Sequence, residues 1–138
     1  MKPSKYILLV EDEGDQAALI RETLQNANAA YEVRGVQSGE DAIAYLSGAG
    51  KYSDRNAYAF PFLVLLDLKM PGAGGFAVLR WLSGNPPLTG KLHVIVLSSA
   101  QSSKEIDVVY ELGATYFLAK SESDRLVDLV ERLECIAA

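Results

Sequence analysis

Five short runs of β-forming residues, each followed by a segment of helical spacing, set the limits of what this chain can fold into. Tyr6–Val10 (YILLV) is uniformly apolar and reads as a buried strand. Tyr31–Val36 alternates, with Tyr31, Val33 and Gly35 set against polar neighbours. Phe62–Leu66, Val94–Leu97 and Thr115–Ala119 complete the set. Between them, Asp15 to Ala27 repeats Ala18, Leu19, Thr23 and Leu24 at helical spacing. Ser38 caps a second helix with Asp41 three residues on, a capping-box arrangement with Asp in place of Glu or Gln. Ala42, Ile43 and Leu46 follow it. Phe76–Leu82 is the third helix. Ser102 with Glu105 caps a fourth that stops at Gly113, a residue suited to the left-handed conformation. Ser121 with Asp124 opens the last, in which Leu126, Leu129, Val130 and Leu133 share a face. Five rounds of strand then helix predict an α/β domain. Its five-stranded parallel sheet carries helices on both faces, and 2-1-3-4-5 is one of the two common strand orders.

A chain of 138 residues suits one domain spanning residues 1–138, with no output domain. The net charge of −5 argues against a binder of phosphate backbones. Cys135 is the single cysteine, which excludes an internal disulfide and a Cys-x-x-Cys metal site. The opening stretch MKPSKYILLVEDE is broken by acids too early for a signal peptide or a membrane span. A cytoplasmic protein is expected, with no membrane partner. His93, the only histidine, falls on the rim opposite the acids and reads as a loop residue. Trp81 reads as a packing residue. Gly72, Gly74 and Gly75 lack the lysine and Ser/Thr of a P-loop. Residues 47–61 (SGAGKYSDRNAYAFP) are long for a loop. Two readings stand: a surface excursion whose aromatics pack back on the domain, or a contact surface for a partner.

Ligands of open α/β sheets bind beyond the carboxyl ends of the strands. Glu11 and Asp12 follow the first strand, Asp67 the third, Ser98 the fourth and Lys120 the fifth. With strands one and three adjacent, the acids crowd. Two carboxylates at ~4 Å repel by ~4 kcal/mol at an effective dielectric of ~20, so the cluster calls for a cation. Carboxylate oxygens without His or Cys suit Mg²⁺ or Mn²⁺. A cation, the Lys120 ammonium and the Ser98 hydroxyl around one carboxylate make a receiver for a phosphoryl group. Asp67 would be its nucleophile.

The motifs LLVEDE (8–13), LLDLKMPGAGGF (65–76), VLSSA (96–100) and GATYFLAK (113–120) resemble, in order and over essentially the whole chain, the receiver domain of two-component response regulators. The resemblance implies a CheY-like, flavodoxin-like fold and a signalling protein that catalyses only its own phosphorylation and dephosphorylation. It implies Asp67 as phosphoacceptor and Asp12 as Mg²⁺ ligand with Glu11 beside it. It further implies that Lys69 gives its backbone carbonyl to the metal, and that Ser98 is the switch hydroxyl. Lys120 would pair with the phosphoryl oxygen and Phe117 would be the switch aromatic. Pro71 and Gly75 would shape the loop beneath the site. The implied partners are a sensor histidine kinase, by a looser likeness one of the phytochrome type, and a downstream protein. Residues 102–119 would be the homodimer face. Ser121 stands where the family usually has Pro, which bears on the last loop and on the reach of Lys120. Two other readings remain. One is a scaffold of the same fold that ignores phosphorylation. The other is an aspartyl-phosphate phosphohydrolase, which wants a second Asp where Lys69 stands.

Overall fold

The computed structural model describes residues 5–68, 74–84, 92–98 and 103–137, without the side chains of residues 103, 120, 121, 123 and 134–137. Five parallel strands, β1 (Lys5–Val10), β2 (Tyr31–Val36), β3 (Leu63–Asp67), β4 (His93–Ser98) and β5 (Tyr116–Ala119), pair in the order β2-β1-β3-β4-β5. This is the expected architecture. Helices α1 (Gly14–Ala27), α2 (Gly39–Ser47), α3 (Gly74–Ser83), α4 (Ser103–Glu111) and α5 (Leu126–Ala137) follow the strands in turn. Strand side chains alternate between faces. Leu8, Val10, Val64, Leu66, Val94 and Val96 form one core layer with residues of α2, α3 and α4. Ile7, Leu9, Leu63, Leu65, Ile95, Leu97 and Leu118 form the other with Leu24 of α1 and Leu126, Val130 and Leu133 of α5.

Three local expectations need correction. In α1 the inward stripe is Ala17, Ile20 and Leu24, whereas Ala18 is exposed and Leu19 is 66% exposed. Two adjacent stripes share the same spacing, and only the sheet decides between them. In β2, Gly35 is exposed and Val36 is buried, so the alternation shifts at its end. The last helix does not open at Ser121. Short 3-10 turns broken by a kink at Glu122 (φ −103, ψ 24) occupy Lys120–Arg125, and regular α-helix starts at Leu126. Gly113 is at φ 102, as a helix stop requires. Ser102 lies outside the described residues.

The excursion after α2 packs back on the domain. Gly48, at φ 74, ends the helix, and a 3-10 turn over Gly50–Ser53 buries Tyr52. The Tyr52 ring lies 4.9 Å from that of Tyr45 and 5.0 Å from that of Tyr58. Arg55 donates to the carbonyls of Leu46 and Tyr58, both at 3.1 Å, beneath the rings of Tyr45 and Phe60. Ser38 Oγ accepts the Asp41 N–H at 3.1 Å, as the capping pattern predicts. The Asp41 carboxylate turns outward from that box and accepts the Tyr52 hydroxyl at 2.9 Å.

Burial, then the Asp41 bond, push the Tyr52 phenol up to about 12. Burial raises Tyr45 as well. The fold therefore favours the neutral phenol. Its contribution is complete below the unfolded value of ~10 and is lost as pH rises from there through about 12. Chemical denaturation across this alkaline window should show falling stability, with a shallower fall in Tyr52→Phe.

Candidate functional site

The register of the sheet brings the strand-end residues to one rim. Val10 pairs with Leu66, which sets Glu11 level with Asp67, and Asp67 itself pairs with Leu97. Ser98 pairs with Ala119, the residue before Lys120. Main-chain bonds continue past the strand ends: Glu11 N–H donates to Val36 O at 3.1 Å and Leu68 N–H to Leu97 O at 3.0 Å. Glu11 Oε2 accepts the N–H of Glu13 at 3.3 Å, which turns its carboxylate back over the rim.

The interior polarity is concentrated here. Tyrosines aside, the buried polar side chains among the described residues are Glu11, Asp67 and Ser98, with exposures of 3%, 2% and 0%. Buried charges persist in proteins when paired or bound to a cation. Asp12 is exposed, at the mouth of the site. Single carboxylate oxygens of Glu11, Asp12 and Asp67 all lie within 4.8 Å of one another. Opposite ligands of an octahedral ion with ~2.1 Å bonds stand ~4.2 Å apart, so a small adjustment lets all three reach one hard cation. The donors are all oxygen, which suits Mg²⁺ or Mn²⁺.

Two glycines seat the site on its scaffold. A Cβ on Gly75, at the start of α3, would stand 2.7 Å from the carbonyl oxygen of Asp67 and 2.9 Å from Leu68 Cα. A Cβ on Gly39, at the start of α2, would stand 2.7 Å from Gly74 O. Gly75 and Gly39 thus serve close packing beneath the acids, while Gly72 lies outside the described residues. Gly39 carries no sequence signal for this, because its contact is with a distant helix. Phe117 pairs with Val96 and is half-buried against the core layer of α2, α3 and α4. Lys69 and Pro71 lie outside the described residues, as does the side chain of Lys120. His93 is the first residue of β4, at the far end of the sheet from the acids. Trp81 packs half-buried against the core.

A model of the response regulator receiver domain matches residues 7–131. The chain belongs to this family. The receiver is 33% identical over 134 residues to the response regulator Rcp1 of Synechocystis, covering 97% of this chain and 87% of that protein. Its fold is similar to that of the phosphorylated cyanobacterial phytochrome response regulator RcpA. The TM-score is 0.80 at 33% identity, over 95% of this chain and 91% of that one. It is also similar to the Mn²⁺-bound form of Rcp1, with a TM-score of 0.75 at 32% identity over 96% and 91%. Among the described residues, no helix of the receiver is long and apolar enough to cross a membrane.

Proposed function

We propose that this receiver is a phosphoryl-accepting switch of a two-component system. Asp67 would be the acceptor, and phosphorylation would change protein–protein contacts. The observation that carries this reading is the burial of Asp67 at the end of the central strand, with Glu11, Asp12 and Ser98 around it. A carboxylate in that position can attack phosphorus once its own repulsion with the donor phosphate is offset. The bond from phosphorus to the donor (a kinase histidine nitrogen, or the acyl oxygen of a small phosphodonor) breaks as a bond to an Asp67 oxygen forms. A divalent cation held by Glu11, Asp12 and Asp67 would neutralise charge on the transferring group. The backbone carbonyl of Lys69 would be a further ligand of this ion.

Ser98 has the role of donating its hydroxyl to a phosphoryl oxygen, and Lys120 that of pairing with another. The adduct adds roughly one negative charge and three acceptor oxygens. Ser98 and the chain after it are drawn toward them, Phe117 repacks, and α4 with β5 shifts between two arrangements. The likeness to RcpA and Rcp1 supports a phytochrome-type histidine kinase as the phosphodonor.

Incubation with acetyl phosphate and Mg²⁺, followed by intact mass measurement, tests the reading. The wild type should gain one phosphoryl group and Asp67→Asn none. Chelation should abolish the gain. An unchanged mass in the wild type would leave the phosphorylation-independent scaffold as the better account.

A further inference from the structure

The outer side of β5 is a free edge of the sheet, where exposed backbone donors ordinarily invite another strand. Two of its N–H groups are taken by side chains. Phe117 N–H donates to Tyr110 Oη at 3.0 Å, and Ala119 N–H to Glu122 Oε1 at 3.4 Å. The second bond falls beside the acid cluster. Ala119 is buried, pairs with the buried Ser98 and is followed directly by Lys120. Glu122 in turn accepts from Arg125 Nη1 at 3.1 Å. Arg125 also bonds the side chain of Tyr116, the first residue of β5. Tyr116, Arg125, Glu122 and Ala119 thus form a chain of contacts from the start of the strand to its end.

The turn after β5 runs between two anchored points. One is the strand end at Ala119, and the other is Leu126, buried at the start of α5. Residues 120–125 (KSESDR) include no proline, whose ring would fix the main chain, and the backbone kinks at Glu122. The side chains of Arg125 and Glu122 are 58% and 44% exposed. An ion pair so exposed adds little to global stability. Its effect is local instead. The carboxylate reaches back to the amide just before Lys120, and Arg125 holds it from the end of the turn.

We infer that Glu122 is a positioning residue for Lys120. Its carboxylate, bonded to the Ala119 N–H and held by Arg125, fixes the main chain at Lys120, and with it the point from which the lysine amine works. The inference rests on the proposed function, which pairs that amine with a phosphoryl oxygen. A cation placed before the reaction costs no reorganisation when charge develops. A loosened attachment lets the amine leave its productive place, and misplacement by ~1 Å can cost ~100-fold in rate. Glu122 acts through Lys120, so its contribution exists only where that lysine is present.

The rate of mass gain from acetyl phosphate with Mg²⁺ reads this role in Glu122→Ala, Lys120→Ala and the double variant of the full chain. Glu122→Ala should slow uptake ~3- to 10-fold and Lys120→Ala ~100-fold, and the double variant should be no slower than Lys120→Ala. Amide hydrogen exchange at Ala119 should be faster in Glu122→Ala than in the wild type. Equal exchange at Ala119 in the two proteins overturns the tie. No slowing by Glu122→Ala, or the same slowing with and without Lys120, overturns the positioning role and leaves the proposed function standing. Lys120→Ala at the wild-type rate overturns the pairing given to Lys120 and the inference with it, while Asp67 stays the acceptor. A wild type that gains no mass overturns the proposed function, and the inference falls with it.

Discussion

Gly75→Ala is expected to lower stability by ~1–3 kcal/mol and to slow phosphoryl uptake on Asp67 sharply. The new methyl would stand 2.7 Å from Asp67 O and 2.9 Å from Leu68 Cα. Both are backbone atoms, so no rotamer change relieves the contact. Either α3 lifts off the sheet or the end of β3 moves. The second outcome displaces the proposed acceptor from Glu11, Asp12 and Ser98. Gly39→Ala should act in the same direction through Gly74 O, also at 2.7 Å. Gly14 is the control, because nothing lies within 4 Å of its virtual Cβ. Gly14→Ala in the first turn of α1 should be neutral or slightly stabilising. Urea denaturation and the rate of mass gain measure the two effects separately. A Gly75→Ala protein within ~0.5 kcal/mol of wild type, phosphorylated at the same rate, would show that the contact is not limiting.

The sheet order was legible because strand–helix alternation leaves few packings, and the strand ends then named the acid cluster. Glu11 and Asp67 are charged residues placed directly after uniformly apolar runs, which is a strong signal when two neighbouring strands carry it. Burial on both sides of the central strand confirms that placement: Leu63 to Asp67 are all buried. The failures have a common cause. The inward stripe of α1, the outward turn of Asp41 to Tyr52, and the packing of Gly39 on Gly74 all depend on contacts between elements far apart in sequence. Spacing within one helix carries no record of them. The late start of α5 is of another kind. Ser121 and Asp124 have cap chemistry, yet Glu122 uses its carboxylate on the Ala119 N–H and Arg125, the backbone kinks at Glu122, and regular helix waits until Leu126. The edge contacts of Tyr110 and Glu122 left no pattern at all, since a polar tip on an exposed residue is the ordinary surface case.

Glu11→Gln should raise the melting temperature in chelator and shrink the rise that Mg²⁺ produces. Its carboxylate is buried with that of Asp67, and Asp12 closes the group at the mouth. Their oxygens lie within 4.8 Å of each other, where two unit charges repel by roughly 3–4 kcal/mol at an effective dielectric of ~20, of which neighbouring groups and solvent offset a part. Glutamine removes the repulsion while its amide oxygen can still accept the Glu13 N–H. A ligand that binds only the folded state stabilises it by RT ln(1 + [L]/Kd), so a tenfold weaker ion gives up ~1.4 kcal/mol at saturation. The two effects have opposite signs, and thermal melts with and without Mg²⁺ separate them. Asp12→Asn should shift the same way but less in chelator, because Asp12 is solvated. If Glu11→Gln instead destabilises the chelated protein and keeps the full Mg²⁺ shift, the buried glutamate is a structural hydrogen-bond acceptor. The ion, if bound, would then rest on Asp12 and Asp67 alone.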